Sequence, residues 1–284
     1  MKLADVIHHI ERTAPLSIAA SWDRSGVQVA SEREEIRRLA VCLDPTPASV
    51  SRALDEGADM ILSHHPLTLE PRFTDRLDAY REVLFLLFRA DVPLYAAHTS
   101  LDANPVGPVG WLAEELVLRR PEGVSGPLEV LEKTGEMECE GRRWDCGFGV
   151  IGNRVPLSPD DLRNTLAPWL EGSCPRLVGK LPEQLERIAI CPGSGGSLAE
   201  EAFALGADLL ITGDLKYHPA LEMPLPVLDV GHFSLEEEMM RRFSLCLKDS
   251  LPGVDVKFLE AQDPLRPFFA THRPWSAGAP DFQE

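Results

Sequence analysis

The sequence predicts an α/β fold made of two similar, internally duplicated domains with mainly parallel sheets. Short apolar runs alternate with amphipathic stretches along most of the 284 residues, a pattern typical of parallel strands joined by helical crossovers. Two blocks, Leu39–Ser63 and Ile188–Thr212, also match each other without a gap at a constant offset of 149 residues. This repeat favours two related halves that face each other across a pseudo-twofold axis. The alternative is that unrelated strand–helix–strand units have converged on similar sequences.

The elements of the first half follow from hydrophobic periodicity and from turn residues. An N-terminal helix is expected over 2–13, followed by an extended segment, Ser17–Ala30, with a turn at Asp23–Gly26. Gly57 is a natural residue to follow a helix C-terminus. The remaining elements are strands at 39–43, 60–63 and 92–97, and helices at 47–56, 74–89 and 109–119.

The second half repeats the alternation after an irregular segment. Residues 121–143 shift to Gly, Glu and Lys and predict a crossing between domains. Strands are then expected at 147–152, 176–179, 187–191, 208–212, 226–230 and 254–259, and helices at 159–170, 197–205, 216–221 and 234–248. The predicted first domain is 1–120 with about 225–261, and the second is 121–224. Residues 262–284 hold four of the 24 prolines and predict a draped or disordered tail.

Composition excludes several classes of protein. A hydrophobic content of 44% and a charged content of 26% are typical of globular proteins. The sequence has no run of about 18 apolar residues, so it predicts no membrane span. The net charge of −17 disfavours binding to nucleic acid. The six cysteines lack CxxC spacing and the N-terminus predicts a helix rather than a signal peptide, so we expect a cytoplasmic protein without disulfides.

Three predicted strands end in imidazoles or carboxylates, the side chains that bind borderline divalent metals. His64 and His65 follow one strand, His98 and Asp102 follow the next, and His232 and Glu236 follow a strand in the second half. Because the ends of parallel strands share a sheet edge, the pattern predicts a metal site. The simpler alternatives are solvated loop histidines at 64 and 65, and a helix-start carboxylate at Glu236.

Within this site, Asp102 is best suited to bridge two cations. His98 is either a ligand or a residue that orients one, and we favour the second role. His232 and Glu236 are four residues apart, so they can converge at the start of a helix for which Ser234 is the expected N-cap.

Two loops of the second half are candidates for substrate contact. Gly193–Gly196 follows a strand and either cradles a phosphate or forms a tight turn. Thr212–His218 occupies the position equivalent to that of His64 and His65 in the first half. Lys216 and His218 in this loop could meet an anionic group and are the candidate catalytic residues.

Taken together, these motifs resemble the NIF-three-like family, whose members are called GTP cyclohydrolase I type 2 homologues or dinuclear metal centre hexameric proteins. The resemblance implies a dinuclear site between two α/β domains and a hexameric ring, and it implies that His98 is usually not a ligand. The chain departs from the family pattern at Ser21, Arg24, Asp214 and Tyr217, where a substrate might lie. The ligands implied by the resemblance are His64, His65, Asp102, His232 and Glu236.

These observations predict a metal-dependent hydrolase of a small nucleotide, pterin-like or phosphorylated compound. Two divalent cations per chain, iron, manganese or zinc, would ionise water near neutral pH. The alternative is a non-catalytic metal-binding ring that acts as a metal store, chaperone or scaffold. The expected partners are further copies of the chain and a small anionic substrate.

Overall fold

The computed structural model describes residues 1–124, 126–139, 141–170 and 172–265. In this part of the chain, strands form a five-stranded sheet of order β1-β4-β3-β2-β11 and a six-stranded sheet of order β5-β6-β8-β9-β10-β7. The strands are β1 Gly26–Val29, β2 Arg38–Cys42, β3 Met60–Ser63, β4 Leu94–Ala96, β5 Glu129–Cys139, β6 Arg142–Leu157, β7 Arg176–Val178, β8 Leu185–Ile190, β9 Leu209–Thr212, β10 Val227–Asp229 and β11 Asp255–Phe258. The helices are α1 Leu3–Thr13, α2 Pro47–Asp55, α3 Ala79–Ala90, α4 Thr99–Asp102, α5 Trp111–Glu115, α6 Pro159–Leu166, α7 Ala199–Ala204, α8 Tyr217–Ala220 and α9 His232–Ser250.

The predicted fold class is confirmed, with parallel strands at the centre of both sheets. In the first sheet β11, β2, β3 and β4 run parallel, and β1 pairs antiparallel with β4 at the edge. In the second sheet β8, β9 and β10 run parallel. Antiparallel strands flank them, with the β5–β6 hairpin on one side and β7 on the other. The second sheet is therefore mixed.

The irregular structure expected at 121–143 is wrong, because Glu129–Cys139 forms strand β5 and β6 begins at Arg142. Strand β5 pairs with β6 from Glu129 opposite Ile151 to Cys139 opposite Arg142. As an edge strand it carries exposed charged side chains such as Glu132 and Lys133, which blunt an open edge. The same charged residues explain why the sequence did not predict β5, since they interrupt the apolar run expected of a buried strand.

The duplication is visible in hydrogen bonds that recur at the 149-residue offset. Oδ2 of Asp59 accepts from the backbone amides of Arg37 and Arg38 at 2.8 and 3.1 Å. Its counterpart Asp208 accepts through Oδ2 from the amides of Glu186 and Arg187, both at 2.8 Å. In both halves the carboxylate thus ties the turn before the second strand to the start of the first, which sets the register of two parallel neighbours.

Helix α9 lies against a core that both sheets share. Its buried face, including Met239, Met240 and Phe243, packs in one apolar cluster with Leu62 of β3 and Ile211 of β9. The indole Nε1 of Trp111 donates to the carbonyl of Leu235 at 3.0 Å, which fixes the first turn of α9 from the side. The start of this helix is therefore held by the core, and the following site depends on its position.

Several element boundaries differ from the sequence prediction. Helix α9 begins at His232, after Gly231 at φ +83°, so Ser234 lies inside the helix and is not its N-cap. Helix α3 begins after Asp78, whose side chain accepts from the amide of Arg81, rather than at residue 74. Helix α5 spans only five residues of the predicted 109–119.

The proposed division into domains stays a prediction. Strand β10, which that division counts with the first domain, is hydrogen-bonded into the six-stranded sheet, whereas β11 joins the five-stranded sheet. Of the predicted tail at 262–284, residues 266–284 lie outside the described residues. No helix in the described part of the chain is long and apolar enough to cross a membrane.

The repeated aspartates yield a test of the duplicated architecture. Replacing Asp59 or Asp208 by Ala leaves two backbone amides without their acceptor, so each change should lower the free energy of unfolding by about 1–3 kcal/mol. Denaturant unfolding measures the loss. Asp55→Ala removes an exposed carboxylate at the end of α2 and should be nearly neutral; equal stability of all three variants would contradict this role.

Candidate metal centre

Four histidines and two carboxylates meet at the carboxyl ends of parallel strands. His64 and His65 follow β3, and the amide of His64 donates to the carbonyls of Cys42 and Leu43 at 3.1 Å, which turns the chain at the sheet edge. His98 precedes α4, which ends at Asp102. His232 and Glu236 lie on the first turns of α9, after β10. The two sheets thus contribute to one cluster of side chains.

Each of the four imidazole rings is oriented by a hydrogen bond at Nδ1. An oxygen of a carbonyl or an ionised carboxylate only accepts, so each Nδ1 carries a proton and each Nε2 is directed into the cluster. In a neutral ring, Nε2 then offers its lone pair to a metal. The pairs are His64 with the Ala97 carbonyl at 2.9 Å, and His65 with Asp44, His98 with Asp23 and His232 with Asp214, each at 2.7 Å.

The carboxylate of Glu236 lies at the centre of the cluster. Its Oε1 is 3.7 Å from Nε2 of His64, and its Oε2 is 3.1 Å from Nε2 of His65 and 2.8 Å from Nε2 of His232. Asp102 approaches from the other side, with Oδ1 at 3.6 Å from Nε2 of His64. The donors therefore form two groups that share Glu236: His64 with Asp102, and His65 with His232.

Three buried atoms of this cluster have no well-directed hydrogen bond among the described residues: Nε2 of His64, Oδ1 of Asp102 and Oε2 of Glu236. Leaving buried polar atoms without partners costs about 1–3 kcal/mol each. All three are metal-ligand atoms that face one another. The residues therefore fit a divalent cation, and the set of imidazole nitrogens and carboxylate oxygens suits iron, manganese or zinc.

Without a cation, protons on the imidazole rings offset the negative charge of the carboxylates in the cluster. Burial opposes a charge on His65, but hydrogen bonds to Asp44 and Glu236 outweigh it and raise its pKa to about 10. The contact with Glu236 raises the pKa of His232 to about 9, with a further contribution from Asp214. For Glu236, burial is outweighed by the charge of His64 and the contacts with His232, and its pKa lies well below the usual range.

Two carboxyl groups beside the cluster are shifted in opposite directions. Burial is the largest influence on Asp102 and, with the nearby charge of Glu236, raises its pKa. Burial also acts on Asp23, but hydrogen bonds from His98, Ser25 and Thr99 outweigh it and lower the pKa. Asp23 thus stays ionised and orients the His98 ring.

Two glycines allow the close approach of these elements. A Cβ on Gly193, whose φ is +66°, would lie 2.5 Å from Oε1 of Glu236. A Cβ on Gly213 would lie 2.7 Å from the backbone nitrogen of His232. Both distances are shorter than non-bonded atoms tolerate, so side chains at these positions would displace Glu236 and His232.

Cavities open on two sides of the cluster. One, of about 400 Å³, is lined by Asp102, Glu236, His98, Trp22 and the loop that contains Gly193. The other, of about 470 Å³, is lined by His65 and His232 together with their partners Asp44 and Asp214, and by Arg176. Both are within the usual size range of small-molecule sites.

The structure brings the five predicted ligands together, and it alters the expected roles of their neighbours. His98 hydrogen-bonds to Asp23 rather than to a predicted ligand, and it presents a ring nitrogen within 4.8 Å of those of His64 and His65. Its expected role as an orienting residue stays a prediction, and this distance keeps the alternative of a ligand open. Glu236 has the central position that the sequence suggested for Asp102. Lys216 and His218 are exposed and line neither cavity.

The sequence analysis missed the residues that orient the rings. Asp44 follows β2 at the same sheet edge, but the sequence analysis gave it no role. Asp214 was noted only as part of a loop, and Asp23 only as part of a turn. Carboxylates at strand ends beside a cluster of histidines are the signal that could have identified two of them.

Comparison with known proteins identifies the family of the chain. The sequence model of the Duf34/NIF3 (NGG1p interacting factor 3) family matches residues 1–264. The chain belongs to this family. It is 33% identical over 273 residues to the GTP cyclohydrolase 1 type 2 homolog of Clostridium perfringens, and the matched region covers 93% of this chain and 98% of the relative.

Solved structures show the same fold. Reduced HcgD from Methanocaldococcus jannaschii superposes with a TM-score of 0.76 at 27% identity, covering 92% of this chain and 98% of HcgD. A Bacillus cereus protein related to NIF3 superposes with a TM-score of 0.79 at 20% identity, covering 94% and 98% of the two chains. The second likeness concerns the fold alone.

Metal binding to this cluster should depend on pH. His65 and His232 hold protons at pH 7 because their pKa values are raised to about 10 and about 9, and a metal must displace those protons. We expect the affinity for Zn²⁺ to rise from pH 6 to pH 9, with release of protons on binding at pH 7. Isothermal titration calorimetry in buffers of different ionisation enthalpy counts the protons. A binding enthalpy that is the same in every buffer would contradict the assignment.

Proposed function

We propose that this protein binds two divalent cations in the cluster and is a metal-dependent hydrolase of a small phosphorylated, nucleotide or pterin-like compound. The observation that carries the proposal is the division of the donors around Glu236. One oxygen of Glu236 faces His64, whose Nε2 also lies near Asp102, and the other faces His65 and His232. A single cation would leave one of these groups unused.

The residues would divide the cations between them. His64, Asp102 and Oε1 of Glu236 would hold one cation, with His98 beside them, and His65, His232 and Oε2 of Glu236 would hold the other. Glu236 would thus be the bridging carboxylate. Two cations held in this way supply Lewis acidity and a means of ionising water near neutral pH.

The chain's own residues prepare the site for this role. Asp23, Asp44 and Asp214 fix the tautomer and direction of three rings, so that a cation finds its ligands already in place. The carboxylate of Asp102 lines the 400 Å³ cavity, and the hydroxyls of Ser194 and Ser197 line it too and can donate to an anionic substrate. The name of the clostridial relative, a GTP cyclohydrolase homolog, supports a nucleotide or pterin-like substrate.

The bridging role of Glu236 leads to a paired test. The wild-type protein should carry about two cations per chain, and Glu236→Ala should lose most of the metal and all hydrolysis of phosphoesters and nucleotides with Mn²⁺ or Zn²⁺. Glu237→Ala is the matched control, because that carboxylate accepts from the Ala261 amide at 2.7 Å instead of entering the cluster. Elemental analysis and a substrate screen measure the two effects.

The outcomes separate the two candidate functions. Less than one cation per chain after anaerobic loading would contradict the dinuclear site. Full metal content with no turnover above the Glu236→Ala background would contradict the hydrolase and favour the alternative, a non-catalytic metal-binding ring. Because Lys216 and His218 lie outside both cavities, the proposed hydrolysis gives them no part.

We also propose that the chain assembles into a hexameric ring, as its family resemblance implies. The exposed apolar side chains of Phe73, Leu77, Phe85 and Phe88 on and before helix α3 support a contact between copies. Light scattering at micromolar concentration should give six times the chain mass, and Phe85→Asp together with Phe88→Asp should lower it. A monomer mass for the wild type would count against the ring.

A further inference from the structure

We propose that Trp22 is a stacking platform that selects nucleotide-like substrates, in which a planar heterocycle is joined to a phosphate by a short linker. Trp22 lines the 400 Å³ cavity beside the metal-ligand cluster. Its side chain is 55% exposed, although Trp is an apolar residue that folding usually buries. The inference rests on the proposed function only in taking the metal cluster as the anchor of the phosphate.

The turn that carries the exposed indole is held in place by hydrogen bonds of the neighbouring residues. Asp23 accepts at Oδ1 from the His98 ring at 2.7 Å and at Oδ2 from the Thr99 hydroxyl at 2.6 Å. On the other side, the amide of Ala20 donates to the Thr99 hydroxyl oxygen at 3.0 Å. The turn that carries Trp22 is thus tied on both sides to the start of α4. Because this turn is already ordered, less conformational entropy is lost when a ligand contacts the aromatic side chain that the turn carries.

The position of Trp22 matches the dimensions of a mononucleotide. Its ring centroid is 6.0 Å from that of His98, edge to face, and His98 is 5.3 Å from His64 and 5.6 Å from His65. One imidazole therefore separates the indole from the predicted ligands. A substrate whose phosphate binds at the cluster would place its base, one sugar away from the phosphate, beside Trp22. Phe148 and Leu198 supply further apolar lining in the same cavity.

The charges in the cavity explain why stacking has to provide selectivity. Among the described residues that line it, none is Lys or Arg, and Asp102, Glu132 and Glu236 are acidic. An anionic ligand would be repelled by the metal-free cavity, so its phosphate depends on bound cations. Cations at the cluster would hold any phosphate alike. An aromatic surface can distinguish a ligand that carries a base from one that does not.

The test compares two ligands that differ only in the base. Adenosine 5′-monophosphate and ribose 5-phosphate are titrated calorimetrically into the metal-loaded, full-length protein. Trp22→Ala should weaken binding of the nucleotide about tenfold or more and change the affinity for ribose 5-phosphate by less than about twofold. Trp22→Phe should restore most of the nucleotide affinity. Phe203→Ala, which removes an exposed aromatic side chain on α7, is the control and should change neither.

The outcomes are distinguishable from those that test the hydrolase. Metal content must be the same in wild type and Trp22→Ala, because Trp22 is not a ligand. Selective loss of nucleotide binding supports the platform even if no ester is hydrolysed. The platform is contradicted if the metal-loaded wild type binds no nucleotide, if Trp22→Ala weakens both ligands equally, or if the metal-free protein binds the nucleotide as tightly as the loaded one. Turnover of nucleotides that Trp22→Ala leaves unchanged would overturn the platform while the hydrolase stands.

Discussion

The carboxylate of Glu236 is a buried charge, 3% exposed, surrounded by three histidine rings. A buried charge is costly unless it is paired, and in the metal-free protein the pairing comes from protonated imidazoles. Much of the surrounding structure follows from this charge. The Trp111 indole fixes the first turn of α9, and Gly193 leaves room for the carboxylate. The strands β3 and β10 end where their histidines reach its two oxygens.

A second layer of carboxylates surrounds the rings. Asp23, Asp44 and Asp214 each bind the Nδ1 of one histidine, and the Ala97 carbonyl binds that of His64, whose ring is fully buried. The Asp23 carboxylate is itself buried and accepts further hydrogen bonds from Ser25 and Thr99. The same carboxylates contribute negative charge, which favours cations at the cluster and explains why anions need the cations first.

The sequence predicted the parts of this protein that depend on local apolar runs and on chemically distinctive residues. Strands β2, β3, β8 and β9 were predicted because buried parallel strands are continuous apolar runs. The residues that meet around Glu236 were selected because they are histidines and carboxylates that follow such runs, and their role as ligands stays a prediction. Strand β5 was missed, because an edge strand with exposed Glu and Lys lacks such a run. The N-cap assigned to Ser234 was wrong, since Gly231 at positive φ lets α9 begin directly at His232. The orienting role of Asp44 depends on a contact across 21 residues that no local pattern records.

The equivalent strand ends of the two halves carry different residues with different roles. Across the 149-residue offset, His64 corresponds to Gly213 and His65 to Asp214. The first half provides two rings at this position, whereas the second provides a residue without a side chain and a carboxylate. Gly213 lets the backbone at Gly231 and His232 pass at a distance that a Cβ would block, and Asp214 then binds the ring of His232. The second half thus supports a ring that α9 delivers, and provides no ring of its own at this position. The asymmetry leaves space beside Gly193, and the cavity that Trp22 lines opens there.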